Sequence, residues 1–299
     1  MNGILPLWKP KGMTSHDCVI RVRKLYKTKK VGHTGTLDPE VEGVLPICIG
    51  EATKIVPFLT DTQKTYSAEV RLGTATDTED SHGQVIEEAP VLAPPTDEDI
   101  KNVLQSFKGI ITQIPPMYSA VKVNGKKLYE YARANETVER PKREVTIYNI
   151  ERQANSGEND DTNSFWFKVV CSKGTYVRTL CQDIGKELGY PAHMGDLVRL
   201  ETASFVKETT VTFPAIEEAV KVNRQDQLLM PIVSGLSHFE RYYVDEDTKE
   251  RVLNGQKLLK PENIDSDPFV IMHHDQLLAI YQTHPEKPEQ IKPVRVFRG

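Results

Sequence analysis

Residues 31–50, VGHTGTLDPEVEGVLPICIG, carry a single aspartate, Asp38, ahead of a proline and five residues after His33, among glycines at 32, 35, 43 and 50. A lone carboxylate in such a loop supports two readings. Asp-Pro opens turns and glycine supplies backbone angles that other residues resist, so Asp38 can be a turn residue. Equally, glycines let backbone pass close to a ligand while a carboxylate points into a cleft. There it can serve as nucleophile or general base, provided a fixed cation keeps it ionised. Spacing alone leaves both readings open.

Other chemistries lack their signatures. The chain has no G-x-x-x-x-G-K-[ST] phosphate loop, no G-x-G-x-x-G, no H-E-x-x-H, no paired C-x-x-C and no G-x-S-x-G elbow. His273-His274-Asp275 falls in a predicted turn and reads as a turn rather than a metal site. No metal or organic cofactor is expected, so the reaction would rest on side chains. Cys18, Cys48, Cys171 and Cys181 sit in apolar contexts without metal or redox spacing and read as reduced, buried thiols. With no apolar run near the ~20 residues that span a bilayer, and no secretory leader in MNGILPLWKPKGMTS, a cytoplasmic protein is expected.

The elements that must position Asp38 follow from periodicity. Thr14 and Asp17 form a capping box, and Cys18, Val22 and Leu25 recur at helical spacing, predicting a helix over 15–27 with Arg21 and Lys24 outward. An apolar run, VLPICIG, follows the glycine-rich loop, and residues 65–72 alternate as a strand. Residues 74–99 are acidic and rich in turn formers, a surface excursion. Thr96 then caps a helix with Ile100, Val103, Leu104 and Phe107 on one face, ended by Gly109. The stretch 113–134 opens on Pro-Pro, holds a hairpin turn at Asn124-Gly125 and ends in a helix. Strands over 144–153 and 164–172 flank SGENDDTN, which reads as a hairpin tip. A helix from about Tyr176 buries Leu180, Cys181, Ile184 and Leu188 and stops at Gly189. From about 236 the texture becomes β-rich. A short helix signal in DEDTKERVLNG precedes strand-like PFVIM, QLLAIYQ and KPVRVF, so two domains are expected, 1–235 and 236–299.

Charge is unevenly spread. The net charge is −4, yet residues 1–31 carry eight Lys/Arg (Lys9, Lys11, Arg21, Arg23, Lys24, Lys27, Lys29, Lys30) against Asp17, a local +7. Such asymmetry attracts phosphates while the molecule as a whole stays acidic; a solvated helix face is the plainer reading.

Taken in order, five blocks of the chain resemble the TruB-type tRNA pseudouridine-55 synthase family: GILPLWKPKGMTSHD, VGHTGTLDPEVEGVLPICIGEATK, KTYSAEVRLGTATDTEDSHG, QIPPMYSAVKVNGKKLYEYAR and CSKGTYVRTLCQDIGKELG. They cover most of residues 3–205, and the tail resembles the small RNA-binding PUA-type domain that ends many of these enzymes. Two departures are visible. Trp8 precedes the Lys-Pro where a polar residue is common, and Val198-Arg199 replaces a more basic pair near the base pocket.

The resemblance implies an α+β fold, a mixed, largely antiparallel central sheet with flanking helices, plus the PUA-like tail. It implies isomerisation of uridine 55 in the tRNA T-loop: the N-glycosidic bond breaks, uracil turns, and a C-glycosidic bond forms. Asp38 then matches the catalytic aspartate, Tyr66 the active-site tyrosine and Arg178 the arginine that pairs with the aspartate. Tyr176 and Leu197 match residues lining the base pocket, His33 the histidine that contacts the displaced nucleotide, and Lys9 with Pro10 the N-terminal element, partly structural. Arg178 near a helix start opposes the helix dipole, which favours acids there, and this independently suggests another job for it. The implied partner is tRNA through its T-stem-loop, with no membrane, no guide RNA, no protein partner, and a monomer. A non-catalytic tRNA-binding or folding module on the same scaffold is the alternative. A guide-dependent dyskerin-type synthase would bring partner-binding extensions, and the chain begins almost at the first motif.

Overall fold

In a computed structural model of the chain, residues 1–154 and 163–298 are described. They form two compact units: Met1–Glu40, Val44–Asp61 and Ala203–Gly299 in the first, Val41–Gly43 and Thr62–Thr202 in the second. The expected hairpin tip SGENDDTN lies, Asn163 apart, outside the described residues.

In the first unit, strand Gly3–Lys9 and strand Val31–His33 flank residues 44–49 of strand Glu42–Ile49. The predicted capping box forms as expected. Thr14 accepts from the Asp17 amide, the Asp17 carboxylate answers to the Thr14 amide, and helix Ser15–Leu25 follows. Its apolar stripe, Cys18, Val19 and Val22, packs with Leu5, Leu7, Ile47, Phe213 and Ile216. The helix ends two residues earlier than its periodicity suggests, because Tyr26 caps it and Lys27 turns left-handed at φ 50°.

The C-terminal sequence forms a five-stranded sheet in the order Arg241–Tyr243, Phe269–His273, Gln276–His284, Lys287–Val296, Leu258–Leu259. Period-two alternation gives it two apolar faces. Phe269, Ile271, Tyr281 and Ile291 pack beneath Val252 of helix Glu246–Leu253. Val270, Met272 and Ile280, with Phe297, join Ile4, Val44, Cys48, Ala52, Ile55, Leu59 and Phe205 in one core. Lys54 seals this contact by donating from Nζ to the Val296 carbonyl at 2.7 Å.

The second unit is built on an antiparallel sheet in the order Ala192–Thr202, Lys64–Leu72, Ser164–Cys171, Arg143–Gln153, Gly109–Gln113. Glu42 and Gly43 run parallel to Val198 and Arg199 and make the sheet mixed. Helix Val177–Glu187 buries Leu180, Cys181 and Ile184 against the strands Ala192–Thr202 and Lys64–Leu72. Helix Asp97–Ser106, with its own Thr96–Asp99 capping box, covers Arg143–Gln153. The Asn124-Gly125 turn joins Lys122–Val123 to Lys126–Lys127 with both residues at positive φ, 52° and 81°, as a two-residue hairpin requires.

Two features depart from expectation. The acidic excursion at 74–99 contains a hairpin, Thr74–Thr76 with Val85–Glu88. Strand Ala192–Thr202, absent from the periodicity reading, pairs in parallel with Glu42 and Gly43 through Val198 and Arg199. Bulges between Met194 and Leu197 and between Arg199 and Glu201 break its alternation, which is why its sequence does not read as a strand.

Candidate active site

Asp38 sits half-buried in the loop that leaves strand Val31–His33. The loop is clamped on both sides of it. The Ser15 hydroxyl accepts from the Leu37 amide at 2.9 Å and donates to the Leu37 carbonyl at 3.2 Å, inside a buried setting. The Pro39 carbonyl accepts twice, from the Lys9 ammonium at 3.0 Å and from the Gly12 amide at 2.9 Å. Lys9 is fully buried and spends a further hydrogen bond on the Pro10 carbonyl at 2.9 Å. Its surroundings give it the work of holding the Asp38 loop. His33 is half-buried, and its Nδ1 accepts from the Gly35 amide at 3.3 Å, bending the loop toward its glycine. Lys9, Pro10, Gly12 and Ser15 thus form the cradle of the loop; Gly12 and Ser15 lie in the N-terminal block, but the sequence assigns them no role.

The expected residues of the second unit converge on two strands and one helix start. Tyr66, half-buried on strand Lys64–Leu72, lies opposite Arg199 in the register of the neighbouring strand. Arg199 is 1% exposed, and its guanidinium bonds the Tyr66 side chain. Burial pulls the Arg199 pKa down, and the tyrosine pulls it back up. A residue set aside on sequence grounds as a local departure is therefore the partner of the expected active-site tyrosine. Its backbone also explains Gly43: a Cβ there would lie 2.3 Å from the Arg199 carbonyl oxygen, and φ at Gly43 is +133°. Only glycine lets the strand pass so close. Leu197 is buried opposite Ala68 on the same pair of strands.

Tyr176 occupies the N-cap of helix Val177–Glu187 and is tied by a reciprocal pair to buried Gln113, its amide to Oε1 at 3.0 Å and its carbonyl from Nε2 at 3.1 Å. Arg178, 7% exposed, is directed by acceptors on two other segments. Nη1 donates to the Thr78 carbonyl at 3.1 Å, Nη2 to the Tyr118 carbonyl at 2.9 Å, and the Asp80 carboxylate lies 3.7 Å from Nη1. An arginine in the first helical turn opposes the helix dipole, and this set of acceptors offsets that mismatch. The structure thus brings Tyr66, Leu197 and Arg199 together across one strand pair, and Tyr176 and Arg178 at one helix start. Asp38, His33 and Lys9 share one loop and its cradle in the first unit.

Both units also carry groups of basic side chains. Arg23, Lys24, Lys27, Lys29 and Lys30 are exposed at the end of helix Ser15–Leu25 and beyond. Arg21 is occupied, bonded to Glu217 and stacked over Phe213 at 4.3 Å. In the second unit Lys126 lies over Tyr131 at 4.5 Å, and Lys127 and Arg133 lie over Tyr129 at 5.3 and 5.2 Å. Amphipathic cation–aromatic pairs of this kind suit nucleic-acid backbone and bases. Among the described residues no group of three or more His, Cys, Asp or Glu is arranged to hold a metal, and no helix is long and apolar enough to cross a membrane. All four cysteines are buried, and burial pushes the Cys171 thiol up to about 11 and the Cys48 thiol to about 12.

Comparison with known proteins fits this arrangement. Residues 23–177 match the family described as TruB family pseudouridylate synthase, N-terminal domain, and residues 178–238 match the tRNA pseudouridylate synthase B C-terminal domain. The chain is 60% identical over 299 residues to tRNA pseudouridine synthase B of Oceanobacillus iheyensis, covering 99% of this chain and 98% of the relative. It is 50% identical over 302 residues to the protein of the same name from Staphylococcus aureus, covering 99% of each. Among solved structures, the crystal structure of a Cbf5-Nop10-Gar1 complex aligns with a TM-score of 0.74 at 29% identity, covering 99% of this chain and 84% of the other. An H/ACA RNP bound to a substrate RNA containing 2′-deoxyuridine shares the fold at a TM-score of 0.75 and 24% identity, covering 99% and 85%.

Proposed function

The chain belongs to the TruB family of pseudouridylate synthases, and from that premise we propose that Asp38 is the carboxylate with which it converts uridine 55 of the tRNA T-loop to pseudouridine. The protein is an isomerase that forms pseudouridine in tRNA. The observation that carries the assignment to Asp38 is its setting: the residues on either side, Leu37 and Pro39, are each fixed by two hydrogen bonds, while the aspartate itself stays half-exposed.

Three routes use an ionised Asp38: attack on the sugar, attack on the base, or removal of a sugar proton. Arg178 is the guanidinium assigned to keep the carboxylate charged, since an opposite charge within about 4–6 Å favours ionisation by ~1–3 pKa units. Tyr66 stacks on the base and relays the late C5 proton, with Arg199 holding its side chain. Tyr176 and Leu197 line the base pocket. A uridine in a structured loop must be extruded at a cost of a few kcal/mol, and His33 takes the space it leaves.

Phosphate contacts from Arg23, Lys24, Lys27, Lys29 and Lys30, and from the 122–143 segment with its seven Lys/Arg and three Glu, offset that cost. Residues 236–299 act as a PUA-like RNA-binding domain beside the catalytic domain 1–235. No guide RNA is required on this reading, which is supported by the chain's match to 98–99% of the tRNA synthase relatives at 50–60% identity, against 84% of the Cbf5 chain at 29%. The enzyme works as a cytoplasmic monomer on tRNA.

The test uses purified protein and a bare T-stem-loop, with pseudouridine read by a uridine-specific chemical mapping assay. Wild type forms it without any added RNA. Asp38→Asn forms none while binding tRNA within about tenfold of wild type, because phosphate contacts are spared. Measurable pseudouridine from Asp38→Asn ends the assignment, and a need for a second RNA ends the stand-alone reading.

A further inference from the structure

Three consecutive residues, Thr78, Glu79 and Asp80, face the first turn of helix Val177–Glu187. Thr78 offers its carbonyl to Arg178 and Asp80 its carboxylate. Glu79 does something different. Its carboxylate Oε2 accepts from the Thr179 hydroxyl at 2.7 Å, one residue past Arg178, in a buried setting.

Several features make Glu79 costly to keep. It is 8% exposed, and burial pushes its carboxyl pKa up, against which the Thr179 hydroxyl and the nearby Arg178 and Arg140 guanidinium groups pull down; Asp183, on the same helix as Thr179, pushes the same way as burial. Its backbone is left-handed at φ 63°, a conformation unfavourable for a residue with a side chain. That conformation is fixed at both ends, by the Glu79 amide donating to the Thr76 carbonyl at 3.1 Å and the Glu79 carbonyl accepting from the Met194 amide at 3.0 Å. A buried carboxylate with strained backbone is rarely a good stabiliser; replacing such a group by a neutral one is often neutral or stabilising.

We propose that Glu79 is a positioning residue for Arg178: by holding Thr179 it fixes the rotation of the first turn of helix Val177–Glu187, and so the direction in which the Arg178 guanidinium is presented. Arg178 is then located by two devices. The Thr78 and Tyr118 carbonyls and Asp80 hold the head of the side chain. The Glu79–Thr179 bond holds the turn from which it grows. Loss of the second lets the helix start relax by fractions of an ångström, which is enough to misdirect a planar fork.

This rests on Arg178 belonging to the catalytic machinery, and the experiment separates the two ideas. Single-turnover rate, KM for a T-stem-loop and Tm are measured for Glu79→Ala, Glu79→Gln, Thr179→Val and Arg178→Lys. Glu79→Ala is expected to lose at least tenfold in rate with KM within twofold and Tm unchanged or raised. Glu79→Gln keeps an acceptor oxygen for the Thr179 hydroxyl and recovers most of the rate. Thr179→Val, which removes the donor without disturbing volume, repeats the loss of Glu79→Ala. A Glu79→Ala rate within twofold of wild type overturns the proposal, as does a Gln variant as slow as Ala, or a fall in Tm with no loss of rate per folded molecule. Arg178→Lys reports on the underlying reading alone: an unchanged rate there removes Arg178 from the reaction whatever Glu79 does.

Discussion

Ser15→Ala is the sharpest perturbation of the Asp38 loop. The substitution removes one oxygen and leaves the helix capping box of Thr14 and Asp17 intact. What it strands is the Leu37 amide, on a residue only 4% exposed, whose acceptor at 2.9 Å was the lost hydroxyl. A buried donor left unpaired costs about 1–3 kcal/mol. Pro39 remains held by Lys9 and Gly12, so the loop is loosened on one side of Asp38 and not released. If the full cost falls on the geometry that reacts, the single-turnover rate drops by about 5- to 150-fold, at 1.4 kcal/mol per tenfold. Binding of tRNA changes little, since Ser15 is buried. Rapid-quench kinetics under single-turnover conditions, with Kd measured by filter binding, read the two quantities separately. A rate within twofold of wild type, beside a Tm lowered by several degrees, would show that the clamp stabilises the unit without aiming Asp38, and the reasoning from loop geometry to catalysis would be wrong.

Other expectations follow from the same contacts. Arg199→Met replaces a buried guanidinium by an apolar side chain of similar length; the rate falls by roughly tenfold or more, as for a lost charged hydrogen bond of about 1.5–3 kcal/mol, with tRNA affinity within threefold and Tm maintained. Gly43→Ala drives a Cβ into the Arg199 carbonyl at a φ that side chains avoid, so soluble yield or Tm collapses, and a normal melting curve would contradict the close approach. For phosphate contacts, the joint change of Lys27, Lys29 and Lys30 to Gln reduces the slope of log K against log salt by about 2–3 in tRNA titrations, and an unaltered slope removes this segment from the interface.

Much of the fold was legible because local signals agreed with packing. The Thr14 and Thr96 capping boxes, the Asn124-Gly125 turn and the apolar stripe of Leu180, Cys181 and Ile184 each lie where their residues predict. Strand Ala192–Thr202 was not legible. Two bulges shift its faces, and it buries an arginine where alternation expects an apolar side chain. The roles of Ser15, Gln113, Glu79 and Arg199 were invisible for a related reason. Each depends on a partner between 22 and 133 residues away along the chain, at Leu37, Tyr176, Thr179 and Tyr66, and no local pattern encodes such pairings. Lys9 shows the converse: its position in a motif is plain from sequence, but that its ammonium is spent on two proline carbonyls is a fact of three dimensions.

The alternating faces of the C-terminal sheet carry a further consequence. Val270, Met272, Ile280 and Phe297 close the same core as Ile4, Val44 and Leu59, within the unit that also bears Asp38. Such a sheet cannot trail on a tether and search for RNA independently. It is placed like the fixed jaw of a caliper, so on the RNA-binding role proposed for residues 236–299 an RNA gripped there would meet the loop at a set span, and a substrate with the wrong distance between those two points would gain nothing from waiting for a hinge. Cutting the chain before the sheet would also strip apolar cover from the other jaw, so a shortened enzyme should fail by melting before it fails by losing affinity.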